Sequence, residues 1–294
     1  MLDNASPLVI GVVGLVRSRT RQSYGYFEEV LQGIISEAGN VDADVHIYRD
    51  DSWLWSGGKP PYSDGVACGL ILFSTACKPD VYGVVASSGL PIVSVGENLI
   101  ASNMSSIDVD NHGASKAATE HLIKQGHTRI GILSGRLTGD GWARLRFAGY
   151  VDALEQAGIP LDEALVADVS ILGFDGGYEA ACLMLQTVPA PTAIVALNDD
   201  IALGAMTRIS EVGLRVPEDV SIIGFDDVHR AEHANPPLTT IRQPTQLIGV
   251  KAVGQLIKHV ANRHIEPVQM MVPGELILRA STSAPGFLRA AKAA

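Results

Sequence analysis

The sequence predicts an α/β protein built from two sheets of parallel strands, each with helices packed against it. Three observations support this prediction. Short apolar runs rich in valine and isoleucine alternate with longer segments of helical period, which is typical of βα units around parallel sheets. The pattern starts again near Asn111, after a first series of strands and helices. Finally, 294 residues with 47% hydrophobic content are enough for two packed cores.

The first unit begins with the apolar run LVIGVV, which predicts a buried strand at residues 8–13. Apolar residues then follow at helical spacing from Phe27 to Ala38, and Gly39 closes this predicted helix. The remaining predicted elements are the strands VDADVHIY, GLILF and PIVSV, with a helix in PDVYGVVASSG between the last two. We expect this unit to end near Val109.

The second unit repeats the alternation from Asn111 onward. Its predicted elements, in chain order, are the helix ASKAATEHLIKQG, the strand RIGIL, a helix that ends at Leu154, the strand ALVADV, the helix GGYEAACLMLQ, the strand AIVAL, the helix DIALGAMTRISEVG and the strand VSIIGF. The prolines and polar residues of ANPPLTTIRQP then predict a return to the first unit, where TQLIGVKAVGQLIKHV predicts a helix.

These passages between the units define two discontinuous subdomains. The sequence assigns residues 7–109 and 240–266 to the first subdomain, and residues 110–239 and 267–284 to the second. Residues 1–6 and 285–294 are expected to be flexible ends.

The composition excludes several classes of protein. A formal net charge of −10 opposes binding to nucleic acid, because DNA affinity depends on lysine and arginine that neutralise phosphates. No apolar stretch approaches the roughly 20 residues of a membrane-spanning helix, and the N-terminus lacks the basic region and cleavage site of a signal peptide. We therefore expect a cytoplasmic protein without a membrane partner. Cys68, Cys77 and Cys182 have unrelated spacings and are interpreted as small buried residues.

One short stretch raises the possibility of an enzyme. Residues 229–233, HRAEH, match the H-x-x-E-H pattern of inverted zinc proteases, in which two histidines hold zinc and the glutamate activates water. No further ligand is marked out, and NPP follows at once, which leaves little room for a helix. We interpret His229 and His233 as loop residues and expect no metal, no cofactor and no catalytic residues; a zinc enzyme stays the weakest alternative.

Several ordered blocks resemble the lactose-repressor (LacI-type) family of bacterial transcription regulators. VDNHGASKAATEHLIKQGHTRIGILSG resembles the opening of the family's second subdomain, and ARLRFAGYVDALEQAG resembles its effector-contacting helix. The most specific stretch is ALNDDIALGAMTRISEVGLRVPEDVSIIGFDDV, followed by PPLTTIRQP. The resemblance runs from Leu8 to Ser283 and is weakest between Arg17 and Asp64. It implies two Rossmann-like subdomains with multiple crossovers, as in type I periplasmic binding proteins.

The resemblance also implies a function. A LacI-type effector domain binds a small molecule, here expected to be a sugar or sugar derivative, in a cleft between its subdomains, and this binding controls DNA binding allosterically. The family implies a homodimer through the first subdomain, and operator DNA bound by an N-terminal helix-turn-helix module that this sequence does not contain. The alternative from another class is the solute-binding protein of a sugar ABC transporter, which shares the two-lobed architecture.

The same resemblance points to individual effector-binding residues. It places the first arginine of ARLRF, Arg144, in the cleft, where a guanidinium offers a rigid fork of donors; the alternative is a solvated side chain. Arg146 lies on a different face of any helix and is assigned to the surface or to packing. Asp226 and Asn198 are expected to contact effector hydroxyls. A helix cap is the alternative role for Asp226, although Asp227 fits that role better, and Asp199 is equally suited to cap the helix that begins there.

Two further sets of residues complete the predicted site. An aromatic ring against the effector is assigned to Phe174, with Tyr178 as the alternative and core packing equally plausible for either. The loop LVRSRTRQSYGYF carries Arg17, Arg19 and Arg21, which indicate an anionic group on the ligand or, equally, a solvated loop. The roles of two tryptophans stay open: Trp53 and Trp55 fit a pocket, an interface or neither.

Overall fold

A computed structural model describes residues 8–14, 21–48, 65–73, 83, 85, 87–96, 104–135, 141–169 and 173–286, and of residues 21–25 it describes the backbone only. The chain divides into two compact units. Unit 1 contains Met1–Val109 and Pro244–Val272, and unit 2 contains Asp110–Gln243 and Pro273–Ala294. Within the described ranges, no helix is long and apolar enough to span a membrane.

The described helices and strands alternate along most of the chain. In chain order they are β1 (Leu8–Gly14), α1 (Arg21–Asn40), β2 (Ala43–Tyr48), β3 (Gly69–Phe73), β4 (Ile92–Val95), β5 (Ser105–Val109), α2 (Asn111–Lys124), β6 (Ile130–Gly135), α3 (Gly141–Gln156), β7 (Val166–Val169), α4 (Phe174–Met184), β8 (Ala193–Ala196), α5 (Asp199–Glu211), β9 (Ser221–Ile223), α6 (His229–Glu232), β10 (Thr240–Arg242), α7 (Thr245–Ala261), β11 (Gln269–Val272) and β12 (Glu275–Ile277).

Unit 1 is built on a six-stranded sheet in the order β11-β5-β4-β3-β1-β2, in which every pairing is parallel. Strands β3 and β4 are buried along their whole length, as continuous apolar runs in a parallel sheet should be. Helices α1 and α7 pack together, because Gly33 and Gly249 leave room for the backbone of the partner helix.

Unit 2 is built on a four-stranded parallel sheet in the order β7-β6-β8-β9, with a separate antiparallel pair, β10 and β12. Its core contains Ile132, Leu133 and Ile222, and the fully buried Tyr150 donates a hydrogen bond of 2.8 Å to the Ile130 carbonyl. All four sheet strands point the same way, so their carboxyl ends lie along one edge.

The structure moves the boundaries drawn from the sequence. The second passage between units falls at Gln243, not at residue 239, and the third falls at Val272, not at residue 266. The reason for the third is pairing: residues 269–272 form β11, which is parallel to β5 in the sheet of unit 1. Neither β5 nor β11 was predicted, and most of the predicted helix PDVYGVVASSG lies outside the described residues.

Candidate functional site

Polar side chains gather at the carboxyl edge of the unit 2 sheet, the edge at which open α/β sheets bind ligands. Arg146 comes from α3, which follows β6; Asn198 lies two residues after the end of β8, and Asp226 follows β9. Parallel strands bring the residues that follow them to the same edge. The sheet therefore assembles a polar cluster from segments that are far apart in the sequence.

Arg146 is the centre of this cluster. Its side chain is only 6% exposed. Its Nε donates a hydrogen bond of 2.8 Å to Oδ1 of Asn111, and its Nη1 donates to the Leu197 carbonyl. A buried guanidinium is stable only when its donors are satisfied. These two bonds fix the plane of the Arg146 guanidinium.

Two aromatic rings flank this guanidinium. The Arg146 Cζ lies 3.4 Å from the ring centroid of Phe225 and 4.8 Å from that of Trp142. Both distances are within the range of a cation–π contact, which is stronger when the cation is desolvated. Phe225 is buried, whereas Trp142, in the first turn of α3, is partly exposed. The Trp142 ring is thus an apolar surface beside the charged group.

Asp226 supplies the opposite charge. Its Oδ1 lies 3.7 Å from Nη1 of Arg146 and accepts a hydrogen bond of 2.6 Å from Nε2 of Gln243. Its backbone has a φ of 116°, in a region that favours glycine, and its amide donates to the Ile241 carbonyl at 2.8 Å. Strained backbone of this kind is concentrated at functional sites.

Arg146 and Asp226 together form a donor–acceptor pair of unequal exposure. The Asp226 side chain is 24% exposed, four times as much as that of Arg146. A carboxylate accepts hydrogen bonds only, and the arginine donates only. A molecule that approaches this pair therefore meets mainly an acceptor, with a fixed cation behind it. Hydroxyl groups, which both donate and accept, fit such a pair.

Asp199 holds the loop that carries Asp226. It is fully buried; its Oδ2 accepts from the Val228 amide at 2.9 Å, and its Oδ1 accepts from the Thr240 hydroxyl at 2.5 Å. Burial raises the pKa of the Asp199 carboxyl well above its usual value, and the negative charge of Asp226 raises it further. Asp199 therefore connects helix α5 to the segment just after Asp226 and to strand β10.

The capping roles differ from those expected. Asn198, not Asp199, is the N-cap of α5, and its Oδ1 accepts a hydrogen bond of 2.8 Å from the Ile201 amide. Asp227 is not a helix cap either, because α6 has Val228 at its N-cap. The Asp227 carboxylate is instead paired with Arg242 at 2.7 Å and with Arg279 at 2.6 Å.

Comparisons with known proteins agree with this architecture. Residues 119–282, more than half of the chain, match the model of the periplasmic binding protein-like domain. Over 72% of its length, the chain is 34% identical to the HTH-type transcriptional regulator CelR of Thermobifida fusca. The chain is a LacI-type effector-binding domain of the periplasmic binding protein-like family. It spans less than two thirds of the length of the curated relatives it matches, 63% in the case of CelR.

Solved structures of LacI-type proteins have the same fold. A complex of the regulator CelR with cellobiose is 26% identical, with a TM-score of 0.82 over 94% of this chain and 86% of that one. The lac repressor dimer, bound to operator and the anti-inducer ONPF, is 27% identical, with a TM-score of 0.80 over 96% of each chain. The family and the fold class predicted from the sequence are therefore confirmed.

In this LacI-type domain, the arginine beside Asp226 is Arg146, and not Arg144, the residue that the resemblance pointed to. Arg144 is exposed. Two residues on a helix are about 200° apart, so the two side chains point to nearly opposite faces of α3. Of the two roles expected for Arg146, surface or packing, the surface role does not hold, since the side chain is buried and bonded within the cluster.

The predicted aromatic residues lie on α4. Phe174 is its first residue, at the carboxyl edge of the sheet, and is 38% exposed. Tyr178, one turn later, donates a hydrogen bond of 2.5 Å to Glu211 and lies under the guanidinium of Arg208. Phe174 therefore stays a predicted contact, whereas the Tyr178 hydroxyl is engaged between α4 and α5.

The structure describes only some of the remaining residues that were singled out from the sequence. Arg17, Arg19, Trp53 and Trp55 lie outside the described residues, as does the side chain of Arg21, whose backbone begins α1. His229 is the first residue of the short helix α6 and His233 is its C-cap, so the prediction of a loop is wrong for His229; the two rings are stacked, with their centroids 4.4 Å apart. Among the described residues, no group of three or more side chains is placed to hold a metal ion.

The sequence contains a signal for the burial of Arg146. The buried residues of α3 include Ala143, Arg146, Tyr150 and Ala153, which recur at intervals of three and four. This spacing defines one face of a helix, and Arg146 lies on that face. By contrast, no local pattern indicates that Asn111 and Gln243 contact the cluster, because both contacts join distant segments.

Proposed function

We propose that this chain is the effector-sensing domain of a transcription regulator, and that it binds a small hydroxyl-bearing molecule at the carboxyl edge of the unit 2 sheet. The observation that carries the proposal is the Arg146–Asp226 pair, in which the carboxylate is accessible and the guanidinium is fixed behind it. Phe174 and Asn198 at the same edge are proposed as further contacts.

The partly exposed Asp226 carboxylate favours a neutral ligand at this end of the site. A sugar presents several hydroxyl groups that donate to Asp226, and its apolar face stacks on an aromatic ring such as Trp142. An anionic group would be repelled by Asp226, so an acidic ligand needs a second set of cations. Arg17, Arg19 and Arg21 are the candidates for that second set, and the anionic version of the ligand rests on them.

Similar proteins support the regulatory part of the proposal. CelR has been seen in complex with cellobiose, and the lac repressor as a dimer on its operator. By analogy, effector binding here controls DNA binding by a helix-turn-helix part of the whole regulator, which acts in the cytoplasm. The regulator is proposed to be a homodimer through unit 1, where Ile35 on α1 and Leu247 on α7 are exposed apolar residues.

A thermal-shift screen tests the ligand class. The panel contains neutral sugars, including cellobiose and D-ribose, together with sugar phosphates, glucuronate and nucleosides. A ligand at 100 times its Kd should stabilise the protein by about 2.7 kcal/mol. We expect the strongest shift from a neutral, hydroxyl-rich compound, and we expect Asp226→Ala to abolish it.

Arg144→Ala is the matched control, because Arg144 lies on the same helix with its side chain exposed. It should keep the full shift. If Asp226→Ala also keeps the full shift, the site is not at this edge. If only acidic compounds bind, and replacing Arg17, Arg19 and Arg21 with alanine removes their binding, the anionic version is correct.

A further inference from the structure

We propose that Asn111 and Gln243 are positioning residues that connect the Arg146–Asp226 pair to two of the three points where the chain passes from one unit to the other. The inference deepens the proposed function and rests on it. It assigns one positioning residue to each member of the pair. A change in the hydrogen bonding of Arg146 or Asp226 should therefore alter the hydrogen bonding of the chain at both passages.

Asn111 is placed beside the first passage. Unit 1 ends at Val109, and Asn111 is the first residue of α2, whose N-cap, Asp110, accepts a hydrogen bond of 2.8 Å from the Gly113 amide. The Asn111 side chain is buried, and its Oδ1 accepts from Nε of Arg146. A movement of the Arg146 guanidinium therefore acts on Asn111, the second residue after the chain enters unit 2.

Gln243 is placed beside the second passage. It is the last residue of unit 2, Pro244 follows, and α7 begins at Thr245. Its Nε2 donates to Oδ1 of Asp226 at 2.6 Å, the same oxygen that lies 3.7 Å from Arg146. The Asp226 carboxylate is thus bonded to the residue at which the chain leaves unit 2.

Ligand binding is coupled to the second passage because a ligand hydroxyl and Gln243 both donate to one oxygen of Asp226. A carboxylate oxygen accepts about two hydrogen bonds, and Oδ1 of Asp226 already accepts one from Gln243. A ligand hydroxyl that donates to this oxygen shares or displaces the Gln243 amide. Because Gln243 immediately precedes the passage, occupation of the site changes the bonding of the connecting segment itself.

Hydrogen–deuterium exchange without ligand tests this connection and does not depend on knowing the effector. In Asp226→Ala, peptides spanning residues 239–247 should exchange at least tenfold faster; in Arg146→Lys, which keeps the charge, peptides spanning residues 106–113 should do so. Arg144→Ala, which removes an exposed side chain from α3, is the matched control and should leave both segments unchanged. Peptides from α4 report whether unit 2 stays folded.

A double-mutant cycle separates positioning from general loss of stability. Gln243→Met removes the donor and keeps the side chain's size. If Gln243 acts through Asp226, the effects of Gln243→Met and Asp226→Ala on exchange of residues 239–247 should be strongly non-additive. Additive effects, or unchanged exchange at both passages in folded Asp226→Ala and Arg146→Lys, would overturn the proposal. A failed ligand screen with faster exchange at the passages would refute the proposed function alone.

Discussion

Replacement of Arg146 by alanine gives the sharpest test of the site geometry. The substitution removes the donor to Asn111 Oδ1 and the donor to the Leu197 carbonyl, and it leaves both acceptors buried. It also removes the cation that lies 3.4 Å from the Phe225 ring and 3.7 Å from Asp226. Arg144→Ala, two residues earlier, removes an exposed side chain.

The structure sets the size of the expected difference. Removing one partner of a buried charged network typically costs about 3–5 kcal/mol, because the remaining polar groups stay buried without their partner. An exposed substitution usually stays within about 0.5 kcal/mol. At roughly 2–4 °C per kcal/mol for a chain segment of this size, Arg146→Ala should lower the Tm by about 10 °C.

Urea unfolding and calorimetry of the two variants measure this difference. Unit 2 should lose stability in Arg146→Ala, and the transition should stay at the wild-type midpoint in Arg144→Ala. Arg146→Lys should fall between them, because lysine keeps the charge but lacks the planar fork. Equal midpoints for Arg146→Ala and Arg144→Ala would refute the burial and bonding of Arg146 described above.

Three further predictions concern unit 2. Gly204→Ala should destabilise unit 2 by about 1–3 kcal/mol in urea unfolding, because the new Cβ would overlap the Phe174 carbonyl on α4. The control is Gly254→Ala in unit 1, where a Cβ would enter open space and should not destabilise the protein. Burial lowers the pKa of His127 below its unfolded value of about 6.5, so the folded protein favours the neutral imidazole. The free energy of unfolding should therefore fall as the pH drops from 7 to 5, because protonation then favours the unfolded chain. The fall should be smaller in His127→Gln. An effector identified by the screen should change the tryptophan fluorescence, and Trp142→Phe should abolish this response. If Trp142→Phe keeps the full fluorescence response, Trp142 lies outside the site.

Much of the fold could be predicted because the buried strands are continuous apolar runs. GLILF and AIVAL predicted strands that the structure has as β3 and β8. Strand β5 escaped prediction because most of its residues are polar, although Ser105 and Ser106 are buried. Ser105 is accommodated by a hydrogen bond of 2.8 Å to His259, 154 residues away, and no local pattern reveals such a partner.

The site residues also fall into two groups, those that a local motif predicts and those that only contacts between distant segments place. Contiguous motifs were enough to predict the family, the alternation of strands and helices, and the candidates Asp226 and Asn198. Contacts within the folded chain were needed to show that Arg146, and not Arg144, is buried beside Asp226. Helical periodicity identifies two faces of α3, but the face that carries the buried arginine is chosen by Asn111 and Leu197, which lie 35 and 51 residues away from Arg146 in the chain. A buried guanidinium is stable only where the fold brings such acceptors to it.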